Sequence, residues 1–425
     1  MTRPFSDSPP IPPQNSPSIP PQLAAKLART SSDPTCTKIA AVPAAVGDDL
    51  PVEILLDIFS RLPVKSLLRF RSVCKLWRGL IGDTSLVGVH FSRSLRNVLH
   101  QHFLITAYSL EKSKLTILSG DTHSGGGEPA CLFSFSNCRF QQTLFGRVKG
   151  FAWHPHRYKF IRREEFRYLI NPSTRQIVEI PLNNFGLDIN SCLYALGFSR
   201  NREEFKVLSI SDGFECHILT IRMSGIGEWK KVNSLMPDEI KNEFWSIRYQ
   251  DCVCIAGVMH WILWEIKKIA TFNLETESFS TMELPVELQT SSVSGRTFYL
   301  LEIDGCLAVV CDGDVPEFGS SRIDLWVLKE YEIGNWVGEI INLPGYYLGA
   351  YITGSVPCSG EIMLSTLRRS AESAIVPLYD RSTRSFREVE IPLPPSLSSN
   401  DVKLGDPVVY TESLFSFRFL FISLD

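Results

Sequence analysis

The feature that most restricts the fold of this chain is a strand–turn–strand unit that recurs at long, regular intervals. Three copies share an apolar strand, an Asn or Asp, a Thr three residues later, a second strand and a closing proline. Their turns begin at Asn171, Asn273 and Asp380. Asn, Asp and Thr side chains bond to nearby backbone and hold tight turns, and proline ends a strand because it cannot donate to a ladder. The turns are 102 and 107 residues apart, which predicts a further unit halfway between each pair.

Such halfway units are found near residues 221 and 327, where a strand, a Gly-containing turn and a tryptophan (Trp229, Trp336) follow one another. The resulting period of about 50 residues is typical of propeller blades and kelch repeats. An earlier hairpin, Phe103–Ser109 with Lys114–Leu118, adds a sixth member. A propeller blade contains four strands, and each repeated hairpin supplies two of them. Strand pairs between the hairpins supply the other two: Tyr194–Ser199 with Glu204–Ile210, Cys252–Ala256 with Val258–Trp264, Tyr299–Ile303 with Cys306–Cys311, and Ala350–Val356 with Glu361–Leu364.

The two ends of this series each lack a partner. The Phe103–Leu118 hairpin has no preceding strand pair, and the last strands, Val408–Tyr410 and Leu414–Ile422, have no following hairpin. Pairing them would close the ring and remove two open sheet edges. The sequence therefore predicts an α+β multidomain chain, in which three short helices precede an all-β, propeller-like domain of about six blades.

The predicted helices occupy Asp48 to Gly82. Asp48 and Asp49 offer an N-cap, and Pro51 suits a first helical turn, so helices are expected at Pro51–Leu62, Val64–Phe70 and Ser72–Ile81. On the first helix Ile54, Leu55, Ile58, Phe59 and Leu62 share one side. A unit of about 35 residues cannot shield that much apolar surface by itself. Either the rest of the chain or another protein must cover the excess.

The order of residues in this segment resembles an F-box: Leu50-Pro51, Leu62-Pro63, Leu67, Arg69, Arg71, Val73-Cys74 and Trp77. The resemblance implies docking on the Skp adaptor of a cullin-based ubiquitin ligase. It also implies which residues contact the adaptor or position those that do: Leu50, Pro51, Ile54, Leu62, Pro63, Leu67, Val73 and Trp77. For Trp77, a place in the core of the small unit is an equal alternative.

The second half of the chain resembles the plant F-box-associated domain, a kelch-like domain. The matching segments lie between about Leu193 and Ser416 and include LYALGFSRNREEFKVLSI, HWILWEIKKIATFNLETESFSTMELP and VVYTESLFS. The segment Gly146–Phe166 departs from the family pattern, so an irregular second blade is expected. The resemblance implies that this domain presents a target protein for ubiquitination.

Composition limits the other possibilities. The formal net charge of −3 gives no reason to expect nucleic-acid binding, and no apolar run is long enough to cross a membrane. Eleven scattered cysteines fit a reducing compartment, the cytoplasm or the nucleus. The predicted divisions are a Pro/Ser-rich disordered tail (1–47), the F-box (48–84), a partly helical linker (85–101) and the propeller domain (102–425). The tail composition is also compatible with a plastid transit peptide.

The chain contains no G-x-x-x-x-G-K-[ST], G-x-S-x-G, H-E-x-x-H or C-x-x-C motif. Cys252-x-Cys254 offers too few ligands for zinc, and Asp312-Gly-Asp314 lacks the other oxygens of a calcium loop. We therefore predict no catalytic residue, no metal and no cofactor, and expect a substrate receptor. The alternatives are an F-box scaffold acting outside a ligase and an enzyme built on the propeller.

Overall fold

The computed structural model describes residues 50–109, 111–122, 129–135, 146–148, 151–154, 168–181, 183, 192–199, 202, 204–247, 252–290, 297–312, 321–365, 372–397 and 402–415. The predicted tail, the caps Asp48 and Asp49, and most of the departing segment 146–166 lie outside these residues. So do residues 313–320, which include most of the Asp312–Asp314 loop.

Four helices precede the sheets: α1 Val52–Phe59, α2 Val64–Phe70, α3 Lys75–Ile81 and α4 Thr84–Ser94. The predicted first helix, Pro51–Leu62, was too long at both ends. Pro51 is itself the N-cap, and its side chain makes no capping hydrogen bond. Its carbonyl oxygen accepts the Ile54 and Leu55 amides. The helix ends early because Pro63 disfavours a helical conformation at Leu62.

The second and third helices show how local chemistry sets helix ends. The prediction of α2 at Val64–Phe70 is confirmed. The predicted start of α3 at Ser72 was wrong, because Cys74 is extended (φ −153°) and its sulfur accepts the Trp77 amide at 3.4 Å. A sulfur N-cap was not expected, since Ser, Thr, Asp and Asn are the usual capping residues.

Six antiparallel sheets follow, which confirms the prediction of about six blades. Blade 1 combines both ends of the sheet region: β1 Gln101–Ser109, β2 Lys114–Asp121, β3 Ala130–Phe135, β25 Val402–Leu404 and β26 Val408–Thr411. Blade 2 has short strands: β4 Gly146–Val148, β5 Phe151–His154, β6 Tyr168–Asn171 and β7 Gln176–Glu179. Blade 3 has a divided outer strand: β8 Leu193–Ser199, β9 Glu204–Ile210, β10 Cys216–Arg222, β11 Gly225–Ile226 and β12 Lys230–Lys231.

Blades 4 to 6 each contain four strands in chain order. Blade 4 consists of β13 Val253–Ile255, β14 Val258–Leu263, β15 Lys268–Asn273 and β16 Ser278–Glu283. Blade 5 consists of β17 Thr297–Ile303, β18 Cys306–Asp312, β19 Arg322–Glu330 and β20 Asn335–Asn342. Blade 6 consists of β21 Tyr351–Ser355, β22 Ile362–Ser365, β23 Ser373–Asp380 and β24 Ser385–Pro392. Short helices lie between blades: α5 Asp238–Asn242, α6 Phe244–Ile247 and α7 Val286–Thr290, with 3₁₀ turns at Val98–His100, Gly345–Tyr347 and Pro395–Leu397.

The repeated turns form as their side chains predict. In each, the Oδ1 atom of Asn171, Asn273 or Asp380 accepts the amides two and three residues later, at 2.8 to 3.4 Å. The next position adopts a left-handed conformation, with φ between 52° and 56°, at Arg175, Glu277 and Arg384. The side-chain bonds hold the turn tightly enough to keep a non-glycine residue there.

The ring closes through blade 1, as predicted for Val408–Tyr410. Strand β26 pairs with β1 in the register Gln101↔Thr411 to Leu104↔Val408, and β25 extends the same edge. The innermost strands β26, β4, β8, β13, β17 and β21 contact their neighbours around the whole ring. The predicted strand Leu414–Ile422 is not formed at Leu414 and Phe415, and its remainder lies outside the described residues.

The alternation of strands gives the ring two different faces. The helical unit contacts the face that carries the turns from the first to the second strand of each blade, and we call this the helix face. The opposite face carries the connections from each outer strand to the next blade, and we call it the far face. Four of these connections place a proline carbonyl 2.8 to 3.0 Å from the amide three residues later, in the pairs Pro237–Ile240, Pro285–Leu288, Pro344–Tyr347 and Pro394–Leu397.

Candidate protein-interaction site

The three helices α1 to α3 pack around a small core. Leu55, Phe59, Leu67 and Leu80 are almost completely buried. The Trp77 ring lies edge-on against Phe59, with 5.1 Å between ring centroids. Trp77 is half-buried in this core, so the structure supports its role as a packing residue.

Another set of apolar side chains on the same unit points to solvent. Five of them are 38% to 52% exposed: Leu50, Ile54, Ile58, Val73 and Leu76. We call these five residues the exposed apolar set. The apolar side of α1 is therefore divided, because Leu55 and Phe59 face the core while Ile54 and Ile58 do not.

The eight residues predicted as adaptor contacts occupy different environments. Leu50, Pro51, Ile54, Pro63 and Val73 are exposed, whereas Leu62 and Trp77 are half-buried. Leu67 is fully buried, so its place is to hold α2 in the core. Ile58 and Leu76 were not among the predicted contacts. Helical spacing could have found Ile58, since it follows Ile54 by four residues on α1. Leu76 lies on α3 whereas Val73 precedes that helix, so helical spacing does not connect these two.

The ring covers another side of the helical unit. One apolar cluster runs from α1 and α2 through α4 into blades 2 and 3, and its members include Leu56, Val64, Val87, Leu196 and Phe205. The chain itself therefore covers part of the apolar surface of the helical unit, which was expected to be covered by either the chain or a partner. The exposed apolar set remains uncovered.

A charged group fixes α2 to the ring. The Val64 amide, at the open N-terminus of α2, donates to Glu412 Oε2 at 2.9 Å. Glu412 directly follows β26, and its Oε1 lies 3.6 Å from Nε2 of His102 on β1. His102 also contacts Asp121 through Nδ1 at 3.1 Å. A carboxylate at a helix N-terminus satisfies an otherwise unpaired amide.

Two side chains of α4 also make polar contacts with α1 and the turn after it. Nε2 of His90 donates to the Leu62 carbonyl oxygen at 2.8 Å, at the turn that ends α1. Arg93 reaches Asp57 Oδ1 at 2.7 Å and also donates to the Ser60 hydroxyl. We call the contacts of Val64, Leu62 and Asp57 with Glu412, His90 and Arg93 the polar seam.

The pKa values of groups in the polar seam, and of His102 beside it, are shifted from their ordinary values. Burial alone would raise the pKa of Glu412, but His102 and the Val64 amide outweigh burial and lower it. Burial alone would lower the pKa of His102, but the carboxylates of Glu412 and Asp121 raise it. Burial lowers the pKa of His90, so this ring stays neutral. The seam therefore carries a negative charge on Glu412 that the neighbouring groups stabilise.

In the part of the chain that the structure describes, no three His, Cys, Asp or Glu side chains converge as metal ligands. Cys252 lies just before β13 and Cys254 within it, and both are half-buried. No helix of the described residues is long and apolar enough to cross a membrane.

The fold and the site together define a class: a β-propeller with an N-terminal helical unit that exposes an apolar surface. Comparison with known families agrees with this class. The model of the F-box associated beta propeller domain matches residues 105–404, and an F-box-like model matches residues 47–87. The chain belongs to the F-box associated β-propeller family.

Relatives of this chain include plant proteins. F-box protein At5g49610 of Arabidopsis thaliana is 26% identical over 306 residues, covering 68% of this chain and 78% of that protein. F-box protein CPR1 of the same plant is 25% identical over 317 residues, covering 67% and 70%. Among solved structures, the WD40 domain of SCAP from fission yeast reaches a TM-score of 0.34 at 10% identity, over 74% of this chain and 97% of that one. At that score the likeness supports no inference.

The family membership confirms the predicted resemblance to plant F-box proteins with a C-terminal associated domain. An F-box in general binds a Skp-type adaptor, and F-box-associated domains typically act as non-catalytic receptors. The chain is thus an F-box receptor protein in this general sense.

Proposed function

We propose that this chain is the substrate-recognition subunit of an SCF-type (Skp–cullin–F-box) ubiquitin ligase. In this role the F-box binds the Skp adaptor, and the propeller binds a target protein in the cytoplasm or the nucleus. The predicted divisions at 1–47, 48–84, 85–101 and 102–425 belong to this proposal. Its chemistry is proximity, because tethering a target beside the ubiquitin carrier raises the local concentration of its lysines.

The observation that supports adaptor binding is the exposed apolar set on a unit whose other side is packed on the ring. Exposed apolar clusters on soluble proteins mark interaction sites, and helices commonly dock through residues one turn apart. Leu50, Pro51, Ile54, Pro63 and Val73 are accessible for direct contact. The other three predicted residues are buried or half-buried, and they contribute indirectly by holding the helices in position: Leu62, Leu67 and Trp77.

The far face is the surface that we propose for the target. Seven exposed apolar side chains lie in its connections or beside them: Phe214, Leu235, Ile266, Val286, Tyr346, Leu348 and Tyr351. On the ring's helix face, the described residues include only Tyr331 and Ile333 of this kind. A target bound to the far face would not compete with the adaptor, because the F-box lies on the opposite side.

Two exposed substitutions test the proposal separately. Ile54→Asp places a charge in the exposed apolar set without touching the core, and should reduce co-purification of the Skp adaptor at least about tenfold. Val286→Asp makes the same chemical change on the far face, where it should leave adaptor binding intact and reduce proximity labelling of the target. Full adaptor binding by the Ile54→Asp variant would contradict the adaptor assignment.

Ligase membership requires a further measurement. Wild-type chain should capture the cullin through the adaptor, and the labelled target should accumulate when Ile54→Asp replaces the wild type in cells. Cullin capture without any change in target turnover would favour an F-box scaffold that acts outside a ligase.

A further inference from the structure

A cavity of about 340 Å³ lies where helix α4 meets blade 3 of the ring. One side of α4 lines it through Thr84, Val87, Gly88 and Phe91, which share a helical face at spacings of three and four residues. None of these residues belongs to the exposed apolar set or to the polar seam. Because Gly88 has no side chain, the helix leaves room at this point.

The floor of the cavity is aromatic. Phe91, Phe198, Phe205 and Phe415 line it, and each is less than 10% exposed. Phe205 packs edge-on between Phe198 and Phe415, with centroid distances of 5.0 and 5.1 Å. This floor is well packed, so an apolar ring or chain would find a preformed surface.

The rim of the cavity is positively charged and carries hydroxyl groups. Arg222 is held in place by an ion pair of 2.6 Å with Glu204, whose carboxylate is buried and does not line the cavity. Arg202, which also lines the cavity, forms no ion pair with another described residue. Thr84, Ser224 and Ser413 complete the polar part, and none of the described residues that line the cavity is acidic.

We propose that this cavity binds a small amphipathic organic acid, with an apolar ring or chain on the aromatic floor and a carboxylate at Arg202. Guanidinium groups bind carboxylates through charge-assisted hydrogen bonds, and cavities of about 300 Å³ or more accommodate small ligands. The ligand would contact both α4 and the ring. It would therefore stabilise the contact between the F-box side and the propeller by mass action.

The test uses the full chain and a defined probe, 3-phenylpropionate, with 3-phenylpropionamide as the uncharged match. Ligand-observed NMR and calorimetry should show saturable binding of the acid with a Kd of about 1 mM or tighter, and at least about tenfold weaker binding of the amide. The acid should also raise the Tm of the full chain.

Two variants assign the binding to this cavity. Arg202→Gln should weaken binding of the acid about tenfold and leave binding of the amide unchanged. Gly88→Leu should abolish binding of both by filling the space. Lys230→Gln, which removes an exposed cation of blade 3 outside the lining, is the matched control and should bind like the wild type.

Several results would overturn the proposal. These are no saturable binding of the acid, equal binding of the acid and the amide, or an unchanged affinity in the Arg202→Gln variant. The proposal would also be overturned if the acid bound only after deletion of residues 416–425, because the cavity would then be occupied by the chain's own C-terminal residues. Adaptor co-purification is measured in parallel, so a failure here is separate from a failure of the proposed ligase role.

Discussion

Replacing Glu412 by alanine should loosen the attachment of the F-box to the ring. Its carboxylate is the hydrogen-bond acceptor for the Val64 amide at 2.9 Å, and only 14% of the side chain is exposed. Losing a hydrogen bond to a charged group, with the donor left unpaired at the interface, costs about 2 kcal/mol. That cost corresponds to an increase of about 30-fold in local opening of the seam.

Amide hydrogen exchange at Val64 measures this opening directly. The matched control is Glu243→Ala, since Glu243 accepts the amides of Glu265 and Ile266 at 3.0 Å within the ring. The control should speed exchange at 265 and 266 and leave Val64 unchanged. Equal Val64 exchange in the wild type and the Glu412→Ala variant, or an equal rise in the control, would refute the reasoning.

The same seam should depend on pH in a defined direction. Because the folded pKa of His102 is raised above its ordinary 6.5, its stabilisation is complete below pH 6.5 and is lost as pH rises through the folded value. Because the folded pKa of Glu412 is lowered below 4.5, its stabilisation is present above pH 4.5 and is lost as pH falls through the folded value. The difference in Val64 protection between wild type and Glu412→Ala should therefore be largest between about pH 4.5 and 6.5.

Three further substitutions test packing inside the ring. Burial lowers the pKa of His260 to about 4, so acidification from pH 6.5 to 4 should cost up to about 3 kcal/mol that His260→Phe does not lose, measured by urea unfolding at each pH. Asn273→Ala removes the acceptor for the Glu275 and Thr276 amides and should cost about 1 kcal/mol, whereas Asn273→Asp should be tolerated; thermal unfolding distinguishes them. Lys206→Met breaks two contacts of 2.7 Å between blades 3 and 4 and should cost about 3 kcal/mol in the same assay, and a loss below 1 kcal/mol would contradict its role as a link between blades.

Features that depend on contacts between residues close together in the chain could be predicted from the sequence. The turns at Asn171, Asn273 and Asp380 are fixed by side chains that bond amides two and three residues away, so their pattern is visible in any short segment. Their regular period then predicted the blades, and the two unpaired ends predicted closure through Val408–Tyr410. Helix α2 was predicted with correct bounds, because Pro63 and the apolar spacing lie within it or beside it.

Other features depend on contacts between residues that are far apart in the chain. Glu412 caps α2 from 348 residues away, and nothing near Val64 indicates it. The short third helix has an equally poor signal, since cysteine rarely acts as an N-cap. Strand β25 was not predicted, because three residues with one buried side chain carry no periodic pattern.

By itself, the sequence determined which segments are apolar, where the chain turns and how many blades it forms, because local hydrogen bonds and side-chain spacing encode these properties. Only the tertiary structure decided which apolar side chains stay in contact with solvent. Leu67 and Ile54 look alike in the sequence, yet the packing of the helices on one another and on the ring buries the first and leaves the second exposed. Burial is a property of the surfaces that meet, and here those surfaces come from opposite ends of the chain.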